Sequence, residues 1–280
     1  MNHYPALTLN RVSKVYSSGT VALQQMNLTV AKGEFVTLVG PSGCGKSTVL
    51  RLIAGLGKLS SGKLEWSQRD LRQELAFVFQ EPALMPWANV VENVRLPLKL
   101  SGVGKRQSRT VVQEALHLVG LEGVEKCYPR QLSGGMKMRV SIARALVTQP
   151  RILLMDEPFG ALDEMTRSKL NRDLLQLWQQ KQWTVIFVTH NIYEAVYLSQ
   201  RVMVMAASPG REVAEVAIEA PYPAKTFAPL ACAINTVERF LTILAKPWRG
   251  RGSGRKRRQT RMAHYSLIQP EVNEVDNQVV

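Results

Sequence analysis

Phe35-Val-Thr-Leu-Val39 runs directly into Gly40-Pro-Ser-Gly-Cys-Gly-Lys46-Ser47, and the order of these two stretches decides the fold. Five unbroken apolar residues have the length and composition of a buried strand. The next eight fit G-x-x-x-x-G-K-[ST], and residues 46 to 55 read as a helix, so the motif lies between strand and helix as it must. Glycines let backbone N–H groups curl around phosphates, the helix N-terminus adds its positive dipole, and Lys46 supplies a full charge. Such a charge about 4 Å from a phosphate oxygen is worth roughly 4 kcal/mol at an effective dielectric near 20, before desolvation. Ser47 offers its hydroxyl to Mg²⁺.

Further apolar runs at 75–79, 152–155, 185–189 and 202–205 also read as strands. Stretches at 111–119, 134–148, 164–181 and 191–199 read as helices between them. The alternation predicts an α/β protein with a largely parallel sheet. Residues 81 to about 150 give helical patterns and no convincing strand, which predicts a helical subdomain inserted into the sheet domain, opened by Pro82 and Pro86 and closed by Pro150. The run Arg151-Ile-Leu-Leu-Met-Asp156-Glu157-Pro158 is a strand ending in two carboxylates. Beside phosphates this is a hard-oxygen site, with Asp156 on the metal side and Glu157 placed to orient and polarise water. Alone, such a pair serves as readily to cap a helix; the upstream loop favours catalysis.

The 280 residues are 45% hydrophobic, enough for a sizeable core. No window reaches the roughly 18 consecutive apolar residues of a membrane span, and the first residues lack the apolar stretch of a signal peptide, which together predict a cytosolic protein. Three cysteines, Cys44, Cys127 and Cys232, suggest neither a disulfide framework nor a zinc site. The net charge of +14 falls to +6 without the eight basic residues between 246 and 262, so an anionic partner is mainly a question for the tail. An apolar repeat at steps of three and four from Phe227 to Leu244 predicts a last amphipathic helix. The domain is expected over 5–246, followed by a flexible basic and then acidic tail, 247–280.

Leu132-Ser-Gly-Gly-Met136 precedes a helical run, KMRVSIARAL. A serine and two glycines at a helix start offer a hydroxyl, close-approach amides and a dipole, although read alone Ser133 is simply an N-cap. Here the sequence resembles the ATP-binding cassette ATPases, whose signature it nearly spells. The resemblance covers about residues 7–245 and implies a RecA-like P-loop NTPase core: a mostly parallel sheet, an N-terminal antiparallel β region and an inserted helical subdomain. It implies ATP and Mg²⁺ as ligands, with each ATP shared head to tail between the loop of one copy (Gly40, Pro41, Ser42, Gly43, Cys44, Gly45, Lys46, Ser47, Thr48) and Ser133, Gly134 and Gly135 of another. Tyr16 matches the aromatic residue that stacks on adenine, a contact worth roughly 1–3 kcal/mol. Gln80 matches the glutamine that meets Mg²⁺ and the attacking water. Asp163, in Ala161-Leu162-Asp163, lies in the loop that meets the other copy, and His190 matches the histidine at the γ-phosphate. Glu157 takes the catalytic role; Ser47, Gln80 and Asp156 form the metal set.

Within the family, residues 79–98 (FQEPALMPWANVVENVRLPL) resemble importers for nitrate, sulfonates and taurine. Asn89 is a plausible cap with Glu92 three residues on, so a short helix starts there. This implies a membrane permease docking near that segment, an extracytoplasmic solute-binding protein acting indirectly, and a peripheral place on the cytoplasmic face of the inner membrane. Residues 63–76 lack the glycine- and proline-rich stretch usual in those importers, and Met138 stands where the signature helix usually has glutamine. The sequence shows no long regulatory domain of the sugar-importer kind. The basic tail leaves open a rival reading, a non-transport cassette ATPase acting with nucleic acid; the single cassette and short helical insertion speak against it.

Overall fold

The computed structural model describes residues 4–218; the predicted helix over 227–244 and the tail from 247 lie outside them. In chain order the strands are β1 (Pro5–Val15), β2 (Val21–Ala31), β3 (Phe35–Val39), β4 (Ser61–Trp66), β5 (Leu75–Val78), β6 (Ile152–Asp156), β7 (Thr184–Thr189), β8 (Arg201–Ala206) and β9 (Arg211–Ala217). The helices are α1 (Lys46–Ile53), α2 (Val90–Leu100), α3 (Lys105–Leu118), α4 (Gly134–Leu146), α5 (Glu164–Lys181) and α6 (Ile192–Leu198).

Every residue of β3, β6 and β7 is buried. A parallel strand covered on both faces has no water side, which is why these stretches are unbroken apolar runs. Each Val, Leu, Ile or Phe so buried contributes about 1.5–3 kcal/mol. They sit in a sheet of order β5-β6-β7-β3-β8-β9, parallel from β5 to β8, with β9 antiparallel at the edge. A second sheet, β2-β1-β4, is antiparallel. In β2 the residues Met26, Leu28 and Val30 are buried and those between them exposed, the period-two pattern of a sheet with one wet face. Phe35, Phe187, Phe159 and Trp178 of α5 pack ring to ring at 5.8–6.0 Å, tying the sheet to that helix.

From 81 to 150 the chain forms α2, α3 and α4 and no strand, as the sequence predicts. Asn89 caps α2 by accepting from the Glu92 amide at 2.9 Å. Asn93, fully buried, bonds Met85 N (2.8 Å) and Ala88 O (2.9 Å), and Arg144 of α4 donates to Pro82 O (2.7 Å) and Ala83 O (2.9 Å). The segment after Gln80 is thus fastened to the helical side. Helix α3 starts at Lys105, six residues before the predicted start at 111, because its first turns, KRQSRT, are polar and carry no apolar period. Strands β4 and β9 escape prediction for a related reason: both are edge strands that are mostly exposed.

Candidate functional site

Strands β6, β7 and β3 are neighbours, and their registers pair Asp156 with Val188 and Val39 with Thr189. The next residues, Glu157, His190 and Gly40, therefore leave the sheet at the same end. In open α/β sheets ligands bind beyond the carboxyl ends of the strands.

Residues 40–45 form the loop from β3 into α1. Gly45 holds φ +94°, and a Cβ there would lie 2.7 Å from Leu23 Cδ2 and 2.8 Å from Ala22 O, so a side chain fits neither the backbone nor the space. Pro41, Ser42 and Gly43 are the exposed tip, while Cys44 is buried beneath it and its thiol is pushed up by that burial. The α1 N-terminus has no side-chain cap and no acid in its first turn, leaving its amides to an anion. Lys46 is buried. Its Nζ donates to Gly40 O (2.8 Å) and Pro41 O (3.3 Å) and lies 3.6 Å from Glu157 Oε1. Tyr16 stands alongside, its hydroxyl 3.2 Å from Thr48 Oγ1 and its half-exposed ring under Lys14 Nζ at 5.2 Å.

Ser47 Oγ donates to Asp156 Oδ1 at 2.8 Å. Burial pushes the Asp156 carboxyl up, and the Ser47 bond works against that rise. Glu157 adopts φ +45°, a left-handed conformation uncommon outside glycine, with its N–H bound to Val188 O at 2.9 Å. Its carboxylate spans from Lys46 to His190 Nδ1, which lies 3.0 Å from Oε2.

Ser133 caps α4 by accepting from the Met136 amide at 3.2 Å, and Asp163 caps α5 by accepting from the Thr166 amide at 3.0 Å. The Thr166 bond holds the exposed Asp163 carboxyl below its ordinary range. A Cβ on Gly134 would lie 3.8 Å from Leu162 Cδ2, and one on Gly135 2.6 Å from Thr166 Cγ2. The segment 133–135 thus packs with the loop of Asp163. Gln80, directly after the strand expected over 75–79, is exposed two residues past β5, which stops at Val78: the chain bends there towards the prolines that open the helical insertion. Sequence reading passed over Arg144, Thr189, Glu194 and Arg167. Glu194, three residues after the α6 cap Asn191, has the look of an ordinary first-turn acid, and only the fold reveals that it is buried.

A phosphate-binding loop after β3, a histidine at the end of the adjacent β7 and an Asp-Glu pair at the end of β6, next to β7, define a P-loop nucleoside triphosphatase. The family profile described as ABC transporter matches residues 23–160. The chain is 45% identical over 218 residues to the uncharacterized ABC transporter ATP-binding protein MJ0412 of Methanocaldococcus jannaschii, covering 76% of this chain and 82% of that one. It is 46% identical over 223 residues to the aliphatic sulfonates import ATP-binding protein SsuB of Bacillus cereus, covering 78% and 88%. Among solved structures it resembles the dimeric structure of MJ0796, a bacterial ABC transporter cassette, at 34% identity and TM-score 0.68, over 77% of this chain and all of that one. It also resembles cbiO1 from Clostridium perfringens, part of the ABC transporter complex cbiONQ, at 29% identity and TM-score 0.70, over 86% and 96%. The chain belongs to the ABC transporter ATP-binding family, and it is an ATPase.

Proposed function

We propose that this ATPase serves an importer: two copies close head to tail around two ATP molecules and drive a membrane permease for an aliphatic sulfonate or related small solute. The observation that carries the catalytic reading is the placement of Glu157 between the loop lysine, 3.6 Å away, and His190, 3.0 Å away. Lys46 and the loop amides hold the triphosphate, with Tyr16 against the base. The Glu157 carboxylate orients water for in-line attack on the γ-phosphorus, where the bond to the ADP oxygen breaks, and His190 fixes the carboxylate. The donors near Ser47 fit Mg²⁺: a hydroxyl and a carboxylate oxygen 2.8 Å apart, the carboxylate in a buried place where a cation would relieve the cost of its charge. When bound, Mg²⁺ neutralises phosphate charge. Ser47 and Asp156 would hold it, with Gln80 completing the set.

Self-pairing is supported by the dimeric relative of similar fold. The import assignment draws on the relatives named for aliphatic sulfonates and on residues 79–98, where Phe79 and Trp87 are exposed on a segment fastened by Asn93 and Arg144. No helix among the described residues is long and apolar enough to cross a membrane. We place the chain peripherally, on the cytoplasmic face of the membrane through its permease, with an extracytoplasmic binding protein delivering solute.

The test is Glu157→Gln. It should bind ATP, accumulate as an ATP-loaded dimer, and lose turnover by about 10²-fold or more. Turnover at the wild-type rate would remove Glu157 from its role. A pull-down from membranes, followed by ligand screening of the co-purifying binding protein, checks the solute.

A further inference from the structure

Arg167, in the first turn of α5, gathers the loop that follows Glu157. Its Nη2 donates to Leu162 O at 2.8 Å, its Nε to Phe159 O at 3.4 Å, and its Nη1 to Glu164 Oε2 at 2.8 Å. Its Nε also lies 3.7 Å from Glu194 Oε1. Glu194 is only 4% exposed, and a carboxylate so buried persists only if paired and hydrogen-bonded. Its second oxygen accepts from Thr189 Oγ1, which in turn accepts from the Asn191 amide at 3.0 Å. Thr189 and Asn191 flank His190. One chain of polar contacts therefore runs from the two neighbours of His190, through Glu194 and Arg167, to the carbonyls of 159 and 162.

The same loop backs Gly134 through Leu162, and the first turn of α5 that follows it backs Gly135 through Thr166. The loop's other anchor is the ring of Phe159, packed on Phe187 at 5.8 Å. A planar guanidinium can serve several acceptors at fixed angles, which an ammonium cannot. We propose that Arg167, held by Glu194, is a positioning residue that fixes loop 159–163 against His190, and so sets residues 133–135 of a chain in register with its own Glu157 and His190. This rests on the head-to-tail reading, in which those two parts of one chain serve different ATP molecules; Arg167 then keeps the two sites of the dimer in step.

The experiment compares Arg167→Lys, which keeps the charge and loses the fork, with Glu194→Gln, which keeps an acceptor for Thr189 and loses the charge, and with their combination. Full-length protein is used, and each variant is also made in a Glu157→Gln background for dimer measurements. Binding of a fluorescent ATP analogue, made by the loop 40–47 and Tyr16, should be unchanged. The kcat should fall by about tenfold to hundredfold with little change in KM, as for a misplaced catalytic geometry, and the ATP-driven dimer should weaken in ultracentrifugation. The double variant should be no worse than the poorer single one, since the pair acts as a unit. Unchanged kcat and dimerisation, additive losses, or ATP binding and thermal stability falling in step with kcat would each overturn the proposal. If Arg167→Lys does not fold, Glu194→Gln decides by the same criteria. A Glu157→Gln parent that stays monomeric with ATP would instead overturn the head-to-tail reading.

Discussion

Asp156 carries a conflict between stability and function. Its ordinary carboxyl value of 3.8 describes the unfolded chain, and burial raises it in the fold. The folded state therefore binds this proton more tightly, so stability falls as pH rises from the unfolded value through the folded one. Asp156→Asn keeps an oxygen for Ser47 and removes that charge. Without nucleotide it should melt higher than wild type at pH 7, by on the order of a few °C, with the gap closing in acid, while Mg²⁺-dependent ATP binding is lost. Melting curves across pH check the sign. Lys46→Ala acts on binding instead and should abolish tight nucleotide binding by titration calorimetry. Lys46, Ser47, Asp156 and Glu157 are legible as candidates because they stand where an apolar strand runs into a glycine loop or a carboxylate pair, whereas His190, just past β7, is singled out only by the family resemblance. Arg167 and Glu194 are not legible: their contact, and the burial of Glu194, come from packing α6 against α5, which no local pattern encodes.

At the scale of elements, the legible parts were those whose chemistry repeats along the chain. The buried strands β3, β6 and β7 announce themselves as apolar runs, and α2 by its Asn89 cap, whereas the exposed edge strands β4 and β9 and the polar first turns of α3 carry no such signal. The contact of α4 with α5 is equally silent, and it has a testable consequence. Gly135 faces Thr166 so closely that an added Cβ would lie 2.6 Å from a β-branched methyl, which has little room to turn. Gly135→Ala should force the start of α4 away from α5, costing about 1–3 kcal/mol as overpacking does. The companion Thr166→Ser removes the methyl, and combining the two should recover most of the loss in denaturant unfolding.

At the scale of the molecule, activity depends on whether one chain can complete a site. The loop lysine lies with Glu157 and His190, whereas residues 133–135 lie with Leu162 and Thr166. If ATP needs both, two differently damaged copies can rescue each other. Lys46→Ala removes the charge from the phosphate loop and leaves Ser133 intact; Ser133→Glu sets a carboxylate where the triphosphate would approach and leaves Lys46 intact. Each variant alone should be inactive, since every site in its dimer lacks one half. Mixing them in equal amounts lets random pairing make about half the dimers mixed, each with one whole site of two, so activity should return to about a quarter of wild type if the sites act independently. Titrating one variant against the other at constant total protein should give a maximum at equal proportions. A mixture as inactive as its components, in a preparation where cross-linking shows mixed dimers, would mean that Lys46 and Ser133 do not serve one ATP.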